Sequence, residues 1–193
     1  DALKAINPGI IYCAITGWGQ SGPRADSAAH DLNYVAEAGM LALAAGPDGA
    51  PVVPSALVAD IAGGTYPAVI NILLALRERD RTGAGCKLDI AMADNLFAFM
   101  YWAIGNGVVA GHWPRPRGDL VTGGSPRYNV YRTADGRYLA AAPLEQKFWD
   151  TFCELIGLDA RFCDDAGQEA AVKAEVARRI GAQPAAHWEG VFA

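Results

Sequence analysis

Apolar and polar residues along the chain follow two different periods, which predicts a mixed α/β protein. The continuous apolar run at 10–15 is typical of a strand buried on both faces, and 87–92 predicts a second strand. Residues 128–133 and 137–140 flank Ala-Asp-Gly, which is a strong hairpin signal. Strands are therefore expected in both halves of the chain.

Helices are predicted where apolar residues recur every three or four positions. The predicted helices cover 31–45, 60–81, 94–104, 146–157 and 168–181, and one more begins at Pro184. In the helix at 60–81, we expect Val69, Leu73 and Leu76 to form the buried face. Arginines near its C-terminal end interact favourably with the helix dipole, and Gly83 is expected to end the helix.

The composition changes at Gly105, where the periodic apolar pattern stops and glycine and proline become frequent. Residues 105–127 are therefore predicted to be a linker or mobile loop between 1–104 and 128–193. The chain opens with Asp-Ala-Leu-Lys instead of Met and stops inside an apparent helix. We expect it to be an internal fragment of a longer protein.

Length and composition are those of a globular protein, because the 193 residues are 52% hydrophobic and 19% charged. A formal net charge of -5 without a basic run argues against nucleic acid as a partner. Polar residues or prolines interrupt the apolar stretches, so no transmembrane helix is predicted, and no cationic segment with an apolar core predicts a signal sequence. The expected location is cytoplasmic.

The cysteines form no CxxC pair and have no histidine at metal-ligand spacing. We therefore expect buried thiols in a reducing compartment, with no metal site and no disulfide frame. These residues are Cys13, Cys86, Cys153 and Cys163.

His30 and Asp60 are the side chains best suited to moving protons near neutral pH, and each stands where a helix is predicted to begin. Helix starts offer free backbone N–H groups, which suit carboxylates, enolates and phosphates. Each residue also has a structural interpretation: Asp60 as an N-cap, and His30 as an exposed residue before a helix. Asp31 could cap its own helix or orient the imidazole. Glu145 could be a first-turn acid or a catalytic group.

Two glycine-rich loops could approach a ligand. The loop at 16–23 follows the first predicted strand, a position that often lines a ligand crevice in α/β sheets, although plain turns have the same composition. Gly123 and Gly124 precede Tyr128 and could be the hinge of a lid or part of a simple linker.

Five motifs stand in order along the first half of the chain. They are Asn-Pro-x-Ile-Ile-Tyr at 7–12, Thr-Gly-Trp-Gly-Gln-Ser-Gly-Pro at 16–23, Ala-His-Asp-Leu-Asn-Tyr at 29–34, Val-Ala-Asp-Ile-Ala-Gly-Gly at 58–64 and Leu-Arg-Glu-Arg-Asp-Arg-Thr-Gly-x-Gly at 76–85. Their order and spacing closely resemble the family III CoA-transferases. Within that superfamily the chain looks most like the α-methylacyl-CoA racemase branch, over about 7–158.

The resemblance implies two interlocked subunits, each with a large Rossmann-like domain and a smaller α/β domain. It assigns 1–104 to part of the large CoA-binding domain and 128–193 to an incomplete small α/β domain. An upstream segment with most CoA-nucleotide contacts and a downstream segment that returns to the large domain are expected outside this chain. The implied partners are an acyl-CoA thioester and a second copy of the chain, with no membrane and no nucleic acid. Coenzyme A enters as part of the substrate, and no permanently bound cofactor is expected.

The resemblance also implies roles for individual residues. In the racemase branch the residues matching His30 and Asp60 exchange the α-proton, and a glutamate of the partner subunit, matched by Glu145, completes the site. Contacts to substrate or CoA are expected from Asp31, Tyr34, Gly63, Gly123, Gly124 and Tyr128. In the transferase branch the aspartate matching Asp60 attacks the thioester to form an acyl anhydride, and a glycine-rich loop closes over it.

Three functions remain open from the sequence. The first is racemisation of a 2-methylacyl-CoA, with His30 and Asp60 on opposite faces of the α-carbon and helix-start N–H groups near Asp60 stabilising the enolate. The second is CoA transfer between carboxylic acids with Asp60 as the nucleophile. The third is an inactive folding and dimerisation unit.

Overall fold

A computed structural model describes residues 2–193, which form two compact units. The first unit runs to Gly46 and resumes over Ala50–Trp113, and the second contains Pro47–Gly49 and Pro114–Ala193. Both combine helices with a small sheet, so the fold class is α/β, as predicted.

The first unit is built on two parallel strands. Strand β1 (Tyr12–Thr16) pairs with β2 (Lys87–Ala91), with Tyr12 opposite Lys87. Its helices are α1 (Ala2–Ile6), α2 (Asp31–Glu37), α3 (Met40–Leu43), α4 (a π-helical turn Ala59–Thr65 that continues as Tyr66–Thr82), α5 (Met92–Leu96) and α6 (Tyr101–Val109). A 3-10 turn, Phe97–Met100, joins α5 to α6.

The predicted burial of the first strand on both faces is wrong for these residues. Tyr12 and Ile15 of β1 are both exposed. Among the described residues, β1 has a hydrogen-bonded neighbour on one side only, so its other edge is uncovered. The parallel pairing and the position of β2 agree with the sequence prediction.

The helix predicted at 31–45 is interrupted. Helix α2 ends at Glu37 and α3 begins at Met40, because Gly39 between them adopts a left-handed conformation with φ +81°. A left-handed residue cannot continue an α-helix. The break leaves α2 as a short helix whose first turn carries the candidate chemistry.

The buried face predicted for α4 is also wrong. Val69 and Leu73 are 50% and 60% exposed and only Leu76 of the predicted face is half-buried, whereas the small residues Ala68 and Ala75 are buried. Alanines allow close approach to the rest of the unit, and the large apolar side chains point away from it. The predicted end of the helix is confirmed, because Gly83 closes it with φ +74°.

The stretch Ala59–Thr82 within the described residues is long and apolar enough to cross a membrane by length and composition. No such segment was predicted from the sequence. The core helices of water-soluble proteins pass the same test, so this property alone makes α4 a weak candidate for a membrane span.

The linker predicted from Gly105 begins later than expected, because α6 continues to Val109. Gly107 is tolerated inside this helix for a packing reason. A Cβ atom on Gly107 would lie 2.3 Å from the indole ring of Trp113, so the ring packs directly on the glycine backbone. From composition alone, such a glycine predicts the end of a helix, which is why the linker was predicted to begin too early.

The second unit confirms the predicted hairpin and helices. Strands β3 (Asn129–Arg132) and β4 (Tyr138–Ala141) are antiparallel, and three helices follow: α7 (Gln146–Leu155), α8 (Glu169–Ile180) and α9 (Ala185–Val191). Short 3-10 turns form at Leu120–Thr122 and Ala160–Phe162. The core consists mainly of large apolar side chains from the three helices, including Trp149, Phe152, Val172, Val176, Ile180 and Trp188.

All four cysteines are free thiols, but the prediction that they are buried holds for only one of them. Cys153 is buried, Cys13 and Cys163 are half-buried, and Cys86 is exposed.

Candidate active site

His30 occupies the N-cap position of α2. Its backbone is extended, with φ −129° and ψ 172°, and its N–H donates to Oδ1 of Asn33 at 3.0 Å. The N–H of Asn33 donates back to the carbonyl oxygen of His30 at 2.9 Å. These bonds fix the start of the helix, and the residue itself is exposed. His30 is therefore both a cap and a reachable side chain.

Asp31 joins the first turns of two helices. Its side chain is buried, and its Oδ1 accepts the N–H of Ala59 at 2.6 Å and that of Asp60 at 3.0 Å. A carboxylate from the first turn of α2 thus caps the start of α4. From the sequence, Asp31 was expected to cap its own helix or to orient the imidazole. Its role at α4 was not predicted, because the two hydrogen bonds join residues far apart in the chain.

Asp60 is not the N-cap that the sequence predicted. Helix α4 begins at Ala59 after Val58, so Asp60 lies within its first, π-helical turn. Asp31, and not Asp60, accepts the backbone N–H groups at the start of this turn. No group among residues 2–193 donates a hydrogen bond to it, and the residue is half-buried. Local π-helical geometry is frequent at functional sites.

The backbone donors near Asp60 are already in use. The N–H groups of Ala59 and Asp60 donate to Asp31, and that of Ile61 donates to the carbonyl oxygen of Leu57 at 3.1 Å. The prediction that N–H groups at this helix start stabilise an enolate is therefore wrong for these three donors.

Tyr34 lies near Asp60. It is almost fully buried, and its hydroxyl donates to the carbonyl oxygen of Ala29 at 2.9 Å. Burial first, and then the charge of Asp60, raise the pKa of Tyr34 above its usual value of 10.0. The phenol therefore stays protonated and remains a hydrogen-bond donor near neutral pH.

The glycine-rich loop after β1 packs against Tyr34. A Cβ atom on Gly17 would lie 2.1 Å from the Tyr34 hydroxyl, and the Trp18 ring meets Tyr34 edge to face at 5.0 Å. Arg24 stacks on Trp18 at 3.7 Å and pairs with Glu37 at 2.9 Å. This loop was noted in the sequence, but the contacts of Trp18 with Tyr34 and of Arg24 with Trp18 were not predicted.

Gly63 has a packing role. A Cβ atom at this position would lie 2.3 Å from the backbone oxygen of Met92, and the carbonyl oxygen of Gly63 accepts a hydrogen bond from Asn95 at 2.8 Å. Only glycine permits this approach of α4 to α5. Its predicted contact with substrate remains a prediction.

The other predicted residues lie in the second unit. Glu145 is the N-cap residue of α7 and is exposed, so it precedes the first turn in which the sequence analysis placed it. Gly123 has φ +87°, and its carbonyl oxygen accepts from Asn129 at 3.0 Å. A Cβ atom on Gly124 would lie 2.4 Å from the backbone of Gly118. Tyr128 is partly exposed.

The geometry therefore brings Asp31, Tyr34 and Asp60 together in the first unit, with His30 next to Asp31 at the start of α2. This part of the first unit offers an exposed imidazole, a carboxylate that accepts no hydrogen bond from residues 2–193, and a neutral phenol. Among residues 2–193, no group of three or more His, Cys, Asp or Glu side chains could hold a metal ion. An imidazole and a free carboxylate at adjoining helix starts form the kind of site that enzymes use for proton transfer or nucleophilic attack.

The chain belongs to CoA-transferase family III, whose family model matches residues 1–193. It is 35% identical over 159 residues to the human α-methylacyl-CoA racemase, covering 82% of this chain and 41% of the relative. It is also 35% identical over 180 residues to a succinate–glutarate CoA-transferase from Agrobacterium fabrum, covering 93% and 44%. The crystal structure of a CAIB/BAIF family protein from Brucella suis matches with a TM-score of 0.75 and 30% identity, covering 96% of this chain and 50% of that chain. This chain thus spans less than half the length of these two curated relatives.

Proposed function

We propose that the full-length protein transfers the α-proton of a 2-methylacyl-CoA thioester and so interconverts the two configurations at the α-carbon. The observation that carries the proposal is the free Asp60 carboxylate. Asp31 caps the first turn of α4 in its place, through the N–H groups of Ala59 and Asp60. A carboxylate that accepts no hydrogen bonds keeps its lone pairs for a proton.

The proposed reaction needs one proton-transfer group on each face of the α-carbon. The thioester carbonyl makes the α-hydrogen acidic, so a carboxylate or an imidazole can remove it and the other group can return a proton to the opposite face. His30 and Asp60 are the proposed pair, and Asp31 links their two helices. Glu145 of a partner subunit is proposed to complete the site. Coenzyme A enters as part of the substrate, so no other cofactor is needed.

Exchange of the α-proton in heavy water tests the proposal. We would incubate the full-length protein with a 2-methylacyl-CoA in heavy water and weigh the recovered thioester. One deuteron should be gained at the α-carbon, and Asp60→Asn or His30→Ala should slow the gain by about 10²–10⁴-fold. Asp80→Asn is the matched control, because Asp80 is an exposed carboxylate near the other end of α4. An unchanged rate of α-proton exchange in Asp60→Asn would contradict the proposal.

CoA transfer between carboxylic acids is the second candidate, and the same free carboxylate favours it. In that reaction the Asp60 carboxylate attacks the thioester carbonyl, the C–S bond breaks, and CoA leaves as the thiolate with an acyl anhydride on Asp60. The thiolate then attacks the Asp60 carbonyl of this anhydride, which releases the donor carboxylate and leaves an aspartyl-CoA thioester. The acceptor carboxylate displaces the thiolate to form a second anhydride with Asp60. The thiolate finally attacks the acceptor acyl carbonyl of that anhydride, which gives the new acyl-CoA and regenerates the Asp60 carboxylate. Absence of α-deuteration, together with CoA passing to an added carboxylic acid, would identify this activity.

We further propose that the full-length protein is a homodimer. In the first unit, Val69 and Leu73 of α4 project large apolar surface away from the described core. Surface of this kind is usually covered by another protein segment. Light scattering should give twice the monomer mass, and a monomer that is active would contradict the dimer. If the full-length protein catalyses neither proton exchange nor CoA transfer, the third function, an inactive folding and dimerisation unit, would be favoured.

A further inference from the structure

Arg127 connects three segments of the second unit through one guanidinium group. Its Nε donates to the Asp165 carboxylate at 2.9 and 3.1 Å, and its Nη2 donates to the same carboxylate at 2.6 Å. The side chains of Arg127 and Asp165 are only 16% and 14% exposed. The planar, fork-shaped guanidinium suits this paired geometry, and a lysine ammonium cannot reproduce it.

The same guanidinium contacts the residues on both sides of Glu145, through the backbone of Leu144 and the side chain of Gln146. Its Nη1 donates to the carbonyl oxygen of Leu144 at 3.4 Å, and its Nη2 donates to Oε1 of Gln146 at 3.0 Å. Its carbon centre lies 5.1 Å from the ring of Trp149, one turn into α7. The Glu145 side chain makes no cap hydrogen bond, whereas its carbonyl oxygen accepts the N–H groups of Phe148 and Trp149.

Arg127 also belongs to the segment that carries the other predicted contacts of this unit. It lies next to Tyr128 and shortly after Gly123 and Gly124, and its N–H donates to the hydroxyl of Ser125 at 3.0 Å. The guanidinium therefore connects this loop directly to the start of α7. A change at Arg127 changes the constraint on both segments together.

We propose that Arg127 is a positioning residue that holds Glu145 for the acyl-CoA reaction. Arg127 does not touch the reacting atoms in this proposal. It acts by fixing Leu144 and Gln146, and thereby the direction in which the Glu145 side chain leaves the backbone. The proposal rests on the proposed function for the role of Glu145, but the placement of the turn by Arg127 can be tested without any activity.

Amide hydrogen exchange tests the placement. The N–H groups of Phe148 and Trp149 donate to the carbonyl oxygen of Glu145 at 2.9 Å each, so their exchange rates report on this turn. In full-length Arg127→Lys they should exchange at least about fivefold faster, while Val176 in the core of α8 should change less than about twofold. Equal acceleration at Val176, or no acceleration at the turn, would overturn the proposal.

Two further variants support the exchange experiment. Arg178→Lys is the matched control, because Arg178 is an exposed arginine paired with Glu175 in α8, and exchange at the α7 start should not change. A similar acceleration in this control would overturn the assignment to Arg127. If Arg127→Lys does not fold, Gln146→Ala removes one of the two contacts and should accelerate the same amides by a smaller factor. No acceleration there would also count against the proposal.

A double-mutant cycle tests the catalytic consequence. Arg127→Lys should lower kcat at least about tenfold with KM changed less than about twofold, because the proposal gives Glu145 a role in the reaction and not in substrate binding. In a Glu145→Gln background the same substitution should change kcat less than about twofold. Equal losses in both backgrounds would show that Arg127 does not act through Glu145. Wild-type turnover in Glu145→Gln alone would contradict the proposed function of Glu145 and leave the exchange result standing.

Discussion

Replacement of Asp31 by alanine should destabilise the first unit of the structure by about 3 kcal/mol. One oxygen of Asp31 accepts two backbone N–H groups, and Ala59, which supplies the shorter bond, is fully buried. Hydrogen bonds to charged groups contribute roughly 1.5–3 kcal/mol, and a lost N-cap costs roughly 0.5–2 kcal/mol. Both ranges refer to the loss of the same two hydrogen bonds, so their values do not add. The expected loss of stability lies near the upper end of these ranges, because the buried N–H of Ala59 cannot form a replacement hydrogen bond with water.

Asparagine at the same position separates the acceptor from the charge. Asp31→Asn keeps an oxygen that can accept both N–H groups, so we expect a loss of only about 1 kcal/mol. Asp26→Ala is the control, because Asp26 is an exposed carboxylate in the loop before α2 and its removal should change stability by less than about 0.5 kcal/mol.

Urea unfolding of the full-length protein, followed by tryptophan fluorescence, measures these changes. Trp18 packs on Tyr34 beside the Asp31 contact, so it reports on the unit that is perturbed. Equal losses in Asp31→Ala and Asp31→Asn would show that the charge matters and the accepted hydrogen bonds do not. A loss below about 1 kcal/mol in Asp31→Ala would refute the capping role.

Gly63→Ala should destabilise the protein by about 1–3 kcal/mol, because the new Cβ would lie 2.3 Å from a backbone oxygen at the start of α5. Gly105→Ala, which meets nothing within 4 Å inside α6, should instead stabilise by about 0.4–1 kcal/mol, and thermal melts that rank the two alike would contradict this. Hydrogen bonds from Arg178 and Arg179 lower the pKa of Glu175 from its ordinary 4.5 to about 2. The stability gained from Glu175 is therefore present above pH 4.5 and is lost as the pH falls towards 2, so the melting-temperature advantage over Glu175→Gln should shrink in that interval. A constant advantage down to pH 2 would argue against the ion pairs.

Local sequence patterns predicted the elements of the second unit because their signals are local. The hairpin turn at Ala134–Gly136 and the periodic helices need only neighbouring residues to be recognised. The face of α4 was predicted wrongly for the opposite reason. Periodicity marks Val69 and Leu73 as a buried stripe, but the surface that packs within this chain is the one with the small residues Ala68 and Ala75.

The sequence predicted which residues form the candidate site but not the hydrogen bonds that connect them. His30 and Asp60 stood out because their side chains can exchange protons near helix starts. That Asp31 caps the helix of Asp60 could not be read from the sequence, since no spacing rule links a carboxylate to a helix almost thirty residues away. Arg127 was missed for the same reason, because its partners Asp165 and Gln146 come from separate segments.

The capping bonds of Asp31 bear directly on the chemistry open to Asp60. A carboxylate that accepts helix-start N–H groups is a weaker base and a poorer nucleophile, so one residue serves poorly as both cap and reacting group. In this chain the two tasks fall on different residues: Asp31 is buried and bonded, and Asp60 is half-buried without a hydrogen bond from residues 2–193. Proton transfer and attack on a thioester both need that separation. The separation therefore supports an acyl-CoA reaction at Asp60 without choosing between the two. The choice depends on whether His30 takes part, because only the proton-transfer reaction needs a second group on the opposite face of the α-carbon.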